Sequence, residues 1–220
     1  DDANSSIYNV GFPVFEGGLV NDVSYPGMKY TDGCNIDHSF KMTSSVYIFS
    51  GQGTDLLDNP IYDDYVQSSE LDILFQNNWG IANHGINSDA NTDLEFMNYS
   101  IARNRSYCRR KLYNSTDGGV ITSVFVNPNG VSEWTEPSFE LENIAALKAG
   151  GDILHSDYGG DVNLPNLKWG EEEYLINRLI IEDINVKDIV DSLAIKSVDG
   201  ANYWAPMFTH IIGTQYPLED

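Results

Sequence analysis

The stretch GGVITSVFVNPNG, residues 118–130, is bounded by glycines and Pro128 and is apolar and β-branched through its middle. A short run of this kind, without apolar–polar alternation, predicts a strand buried on both faces, as in a parallel sheet covered by helices. Upstream, Thr92–Tyr113 reads as the longest helix. Asn91 or Thr92 can cap it, Glu95 puts acid in its first turn, and Arg109, Arg110 and Lys111 put base in its last. Before that helix, IANHGINSD (81–89) reads as a short buried strand running into a loop. Asp63–Trp79 carries Tyr65, Val66, Leu71, Leu74 and Phe75 at helical spacing, and SSVYIFSG (44–51) reads as a strand.

Downstream, the pattern predicts a short helix over Glu140–Ala149 stopped by Gly150 and Gly151, then a strand DILHS (152–156). Glu171–Arg178 reads as helical, with Leu179–Ile184 either extending it or forming a strand. Val186–Ser197 is helical by periodicity, and Tyr203–Ile212 closes the series as a strand. Residues 1–26, with Pro13 and Pro26, read as an irregular entry segment with one short strand near Phe12–Phe15. GMKYTDG (27–33) reads as a strand-like run ending in a turn. Strand and helix alternate with short links, so the expected fold is α/β with a parallel sheet or barrel, one domain over residues 27–220.

Composition narrows the function classes. The 220 residues hold 33 Asp and Glu against 12 Lys and Arg, a formal charge of -21. Such a chain has little with which to neutralise phosphates, so neither nucleic acid nor an anionic membrane surface is an expected partner. With 41% hydrophobic and 12% aromatic residues the acidity does not signal disorder. No stretch approaches the roughly 18 apolar residues of a membrane-spanning helix. Residues 1–10, DDANSSIYNV, are acidic and polar, unlike a secretory leader. Cys34 and Cys108 fit neither a disulfide scaffold nor a Cys-rich zinc site, and two free thiols are favoured over a bridge. Sequons at Asn4, Asn98, Asn104 and Asn114 do not fix a compartment.

Parallel α/β sheets place their sites at the carboxyl ends of strands. Polar residues expected there are Asp32 after MKYT, His84 after IAN, Asn127 after VFV, Asp157 after DILHS and His210 after APMFT. Each has a structural reading of its own: Asp32-Gly33 is also a turn dipeptide, and His84 or His210 could satisfy a loop or sit in the core. Together, Asp and His at the ends of several strands are what a divalent metal needs, with one position open to water.

The order YTDG, NHG, FVNPNG and FTHIIG resembles the ordered motifs of the polysaccharide deacetylase family over roughly residues 27–213. The resemblance implies a distorted (β/α) barrel that hydrolyses N-acetyl or O-acetyl groups on sugars with a divalent metal, Zn, Mn or Co foremost. In the family's first motif two adjacent aspartates serve as catalytic base and metal ligand. Aligned on YTDG, Asp32 takes the ligand's place and Thr31 that of the base. The second motif's first histidine matches His84, while its second falls on Ser88, beside Asp89. Val126 stands where the third motif has Arg, though Pro128 and Gly130 match, and the last motif's general acid matches His210.

The implied metal set is therefore Asp32, His84 and Asp89, with His210 as acid. Thr31 cannot act as base near neutral pH, so Asp37, beside His38, or Asp157 is the expected substitute. The expected activity is deacetylation of an acetylated glycan, in an extracellular or cell-envelope setting. The alternative is a catalytically inactive barrel binding glycan or serving a structural role at a cell surface or in a virion. Trp79, Trp134, Trp169 and Trp204 would be its stacking platforms.

Overall fold

The computed structural model of the chain describes residues 1–50, 55–59, 61–112, 122–141, 143, 145–149, 174–180, 187–188, 191, 207–210 and 212. A π-helical turn over Ile7–Gly11 runs into α1 (Phe12–Glu16), which Pro13 starts well because its fixed φ suits the first helical turn. The short strand expected at Phe12–Phe15 is thus helical. Phe12 and Phe15 both turn onto the Trp79 ring, with centroids 5.6 and 5.9 Å away, and that packing outweighs any local strand preference.

Two small antiparallel hairpins follow. The first pairs β1 (Gly18–Val20) with β2 (Val23–Tyr25), and the second pairs β3 (Lys29–Thr31) with β4 (Asp37–Ser39). Both stand apart from the main sheet. Their root is tied to the core through Glu16, whose Oε1 accepts from Trp79 Nε1 at 2.7 Å and from Lys41.

The main sheet comprises β5 (Thr43–Val46), β6 (Gly80–Asn83), β7 (Val124–Val126), β8 (Ala145–Ala149), β9 (Tyr174–Ile180) and β10 (Met207–Phe208). Its six strands lie side by side in chain order, and every neighbouring pair is parallel. Parallel neighbours need crossovers, and α2 (Ser68–Gln76), α3 (Leu94–Lys111) and α4 (Thr135–Glu140) supply the first three. The chain is therefore α/β with a parallel sheet.

Two expected helices are strands here: β8 replaces the helix at Glu140–Ala149, and β9 the one at Glu171–Arg178. Ala, Leu and Lys in β8 favour helix in isolation, but a central parallel strand is chosen by burial and pairing on both sides. The predicted strand at 152–156 and most of the predicted helix at 186–197 lie outside the described residues.

α3 shows how sequence sets both packing and site. Met97, Ile101, Tyr107 and Cys108 fall on one face with Ser100 and Asn104, all buried. Asp93 caps it, Oδ1 accepting from Phe96 N at 3.1 Å, one or two residues past the expected Thr92 or Asn91. One core cluster joins Val46, Ile48, Leu71, Leu74, Trp79 and Leu112 beneath α2 and α3, and reaches Ala3 and Ile7 of the segment expected to be irregular. Phe125 and Trp134 stack in a second, 5.8 Å apart. No helix among the described residues is long and apolar enough to cross a membrane. Cys34 is an exposed free thiol and Cys108 a buried one.

Residues 1–3 bond to the sheet at both its first and its last strand. Ala3 N donates to Ser45 O on β5 at 2.9 Å, and Asp1 N donates to Thr209 O just past β10 at 2.6 Å. On the far side, Val66 N donates to Ala3 O at 2.8 Å. Asp2 and Ala3 hold φ of 61° and 55°, the left-handed region that non-glycine residues avoid, so the turn that aims Asp2 is imposed by its surroundings.

Candidate active site

Four side chains at or near the carboxyl ends of the parallel strands meet the first two residues. Tyr47 follows β5, His84 follows β6, Arg178 lies near the end of β9, and His210 follows β10. His84 is 3% exposed, and its Nδ1 lies 2.8 Å from Val126 O at the end of β7. A carbonyl can only accept, so Nδ1 carries the proton and Nε2 presents a lone pair. That lone pair faces Asp2 Oδ1 at 3.1 Å, while Asp2 Oδ2 lies 3.9 Å from His210 Nε2. The Tyr47 ring stacks on His84, with centroids 4.1 Å apart and planes 11° from parallel.

Beside this trio, Arg178 Nη1 donates to both carboxylate oxygens of Asp1, at 2.7 and 2.8 Å, and Ser45 Oγ donates to Oδ1 at 2.6 Å. Both charged side chains are buried, and the guanidinium also lies over the Phe208 ring at 4.3 Å. A buried carboxylate with a paired guanidinium and a hydroxyl donor is held ionised and in one orientation.

The electrostatics follow from burial and pairing. Burial presses the Asp2 carboxyl upward, but its contact with His84 and its nearness to His210 outweigh it and hold the group below the ordinary value. Burial drives the His84 imidazole down and prevails over the pull of Asp2, so His84 stays neutral. Burial also lifts the Tyr47 phenol, with Asp2 adding to the rise, and lowers the Arg178 guanidinium to about 10.

Of the described residues singled out from sequence, His84 and His210 are brought to one place, and the others are not. Asp32 closes the β3–β4 hairpin, not a strand of the main sheet. Its Oδ1 accepts from Cys34 N and Ile36 N at 2.8 and 2.9 Å, and its Oδ2 lies 2.8 Å from His38 Nε2. Asp37 sits in the same hairpin and accepts from Thr31 Oγ1 at 2.7 Å. Asp89 is exposed in the loop after β6, its Oδ1 accepting from Asn91 N. Asn127 is buried after β7, but its amide donates to Val131 O and Thr135 Oγ1, stapling the loop to α4. Asp157 lies outside the described residues. The expected set Asp32, His84 and Asp89 is therefore not assembled. Among the described residues no three His, Cys, Asp or Glu side chains are arranged to hold a metal ion.

Asp1, Asp2, Arg178 and Tyr47 escaped the reading of the sequence. One signal was available for two of them: Asp1-Asp2 is a pair of adjacent aspartates, which the Thr31-Asp32 alignment lacks. Nothing local marks Arg178 or Tyr47.

No protein-family model and no curated protein matches the chain. Among solved structures, that of the Streptococcus pyogenes deacetylase PplD in complex with acetate is similar at 13% sequence identity with a TM-score of 0.48. The match covers 68% of this chain and 54% of that one, so this chain spans about half its length.

Proposed function

We propose that the chain is a hydrolase that removes acetyl groups from a carbohydrate, built on a distorted (β/α) barrel of the polysaccharide deacetylase type. One observation carries the reading: two adjacent aspartates meet separate partners at the carboxyl edge of a parallel sheet, Asp1 on Arg178 and Asp2 on His84 and His210. Adjacent aspartates with distinct duties are what that family's first motif supplies. Barrel closure is supported by the order of the strands and by residues 1–3 bonding both β5 and the end of β10.

The donors at Asp2 suit a divalent cation as a pair. Asp2 Oδ1 and His84 Nε2, a carboxylate oxygen and an imidazole nitrogen, lie 3.1 Å apart, and both are donor types that such ions take. Zn, Mn or Co would be held there, with the other positions falling to water and substrate. Bound, such an ion polarises the acetyl carbonyl and acidifies a water. Asp1, kept ionised by Arg178 and Ser45, would be the base that takes the proton of the attacking water. His210, half-exposed on the far side of Asp2, hands a proton to the departing amine or alcohol. Tyr47 holds the His84 ring face. An extracellular or cell-envelope setting, where acetylated glycans are met, completes the proposal.

A second reading keeps the barrel but not the chemistry. Its support is the exposed Ser88–Asp89 loop, which leaves the second motif without its second histidine. The chain would then bind glycan without turning it over. Acetate release from acetylated chitooligosaccharide or xylan, measured with Zn²⁺, Mn²⁺ or Co²⁺ supplied, decides between them. Release abolished by Asp2→Asn establishes the hydrolase; no release with any metal leaves the binding module.

A further inference from the structure

Between β6 and α3 lies a buried polar cluster that the chemistry above does not use. Asn104, fully buried on the inner face of α3, donates from Nδ2 to Val46 O and to Gly85 O, both at 2.5 Å. Val46 O also accepts the backbone N–H of His84, at 3.2 Å, and Gly85 is the next residue in the chain. One carboxamide thus touches the hydrogen-bond partner that precedes His84's ring and the peptide that follows it. Its own orientation is fixed because Cys108 Sγ donates to Oδ1 at 3.4 Å, so the nitrogen faces the carbonyls.

The same helix holds the rest of the turn. Asn83 Nδ2 donates to Ile101 O at 2.9 Å, Asn83 Oδ1 accepts from Gly85 N at 2.9 Å, and Ser100 Oγ accepts from Ile86 N at 2.9 Å. Gly85 takes φ 79°, and a Cβ there would meet Ser100 Oγ at 2.9 Å, so the turn fits the helix with no room to shift. Apolar residues of the same size would fill this space and leave the carbonyls of Val46 and Gly85 short of donors. The cluster has polar members because the turn after β6 must be held in one position.

We propose that Asn104 is a positioning residue for His84: its carboxamide fixes the backbone on both sides of the imidazole, and so the direction in which Nε2 faces Asp2. This rests on the reading of Asp2 and His84 as cation donors. A corollary concerns modification. Asn104 opens an N-R-S sequon, but both its amide protons are committed and its side chain is enclosed, so a glycan cannot be carried there by the folded chain.

The test uses the full chain and Zn²⁺ alone, by titration calorimetry, with ¹⁵N spectra of the His84 ring. Asn104→Ala lowers Zn²⁺ affinity about 10–100-fold, the usual loss when a partner that orients a ligand is removed. It also replaces the single Nδ1–H tautomer of His84 with an averaged signal. Asn104→Ser keeps one donor and falls between. Leu71→Ala, a core truncation under α2, loses stability but keeps wild-type affinity and tautomer. If folded Asn104→Ala binds Zn²⁺ within twofold of wild type and keeps the single tautomer, the proposal is overturned. It is also overturned if both Asn104 variants fail to fold, since the amide is then structural only. Should the wild type bind no Zn²⁺, the cation reading fails, and the His84 tautomer alone then decides the role of Asn104.

Discussion

Two Asp–His pairs among the described residues are of similar length and opposite character. Asp32 and His38 lie six residues apart in a solvent-facing hairpin, with Nε2 2.8 Å from Oδ2. Asp2 and His84 lie 82 residues apart, at 3.1 Å, with the histidine buried where parallel strands end. The shorter contact is the less consequential one. Water screens the hairpin pair, and Asp32's other oxygen merely accepts from its own turn. At the sheet edge the imidazole is buried while Asp2 keeps an exposed side, the imidazole Nδ1 is tied to the Val126 carbonyl, and the carboxylate is carried by a strained backbone turn. Distance alone does not identify a site; burial, tautomer and topology do.

Activity should separate the pairs most widely. Asp1→Asn removes the proposed base and is expected to lower acetate release about 10²–10⁴-fold, the range for losing a general base. Asp32→Asn and His38→Ala are expected to stay within twofold of wild type in the same assay. Equal losses in the hairpin and at the sheet edge would erase the difference between the two regions.

Stability should separate the buried ion pair from an exposed one. Arg178→Met strands the Asp1 carboxylate in the interior and is expected to cost about 3–5 kcal/mol in urea denaturation, the range for breaking a buried pair on one side. Lys187→Ala removes an exposed pair with Asp191 one helical turn away and is expected to cost at most about 0.5 kcal/mol. A small Arg178 effect would mean that Asp1 is hydrated and ill suited to act as a positioned base.

Acidity offers a third contrast. His84 is held below its ordinary value of 6.5, so as pH falls through 6.5 the unfolded chain takes up a proton that the folded chain refuses. Its contribution to stability is full above that pH and is lost as pH falls toward the folded value. Asp2 adds a lower window, full above 3.8 and lost below it. Urea midpoints followed from pH 8 to 4 should therefore decline from about pH 6.5 onward. His84→Gln should flatten the upper part of that decline, and His38→Gln should leave it in place.

The sequence made half of this arrangement legible. The apolar run before His84 and the glycine-bounded run at 118–130 predicted strands, and the strands put His84 and the Val126 carbonyl side by side. What failed was the choice of the aspartate. Asp32-Gly33 follows a strand-like run, but a three-residue strand does not announce which sheet it joins, and this one pairs with Asp37–Ser39. Asp2 sits in an acidic, polar segment without strand periodicity, and only its contacts with residues that follow β6 and β10 give it a role. β8 misled for a related reason. Its helix-forming residues are overruled by neighbours on both sides, and no window of sequence contains those neighbours.

The smallest expected effect tests the hairpin itself. Asp32 Oδ1 accepts two backbone N–H groups across a turn in which Asn35 takes φ 64°, and these bonds, with that to His38, hold the carboxyl below its ordinary value. Asp32→Ala therefore frees the amides of Cys34 and Ile36, which should exchange with solvent faster than in the wild type. The global urea midpoint should not move, because the hairpin stands outside the main sheet and opens by local unfolding without disturbing the core. If amides of β5 or β6 also speed up, the hairpin is coupled to the sheet, and Asp32 is nearer to the chemistry of His84 than its own hydrogen bonds indicate.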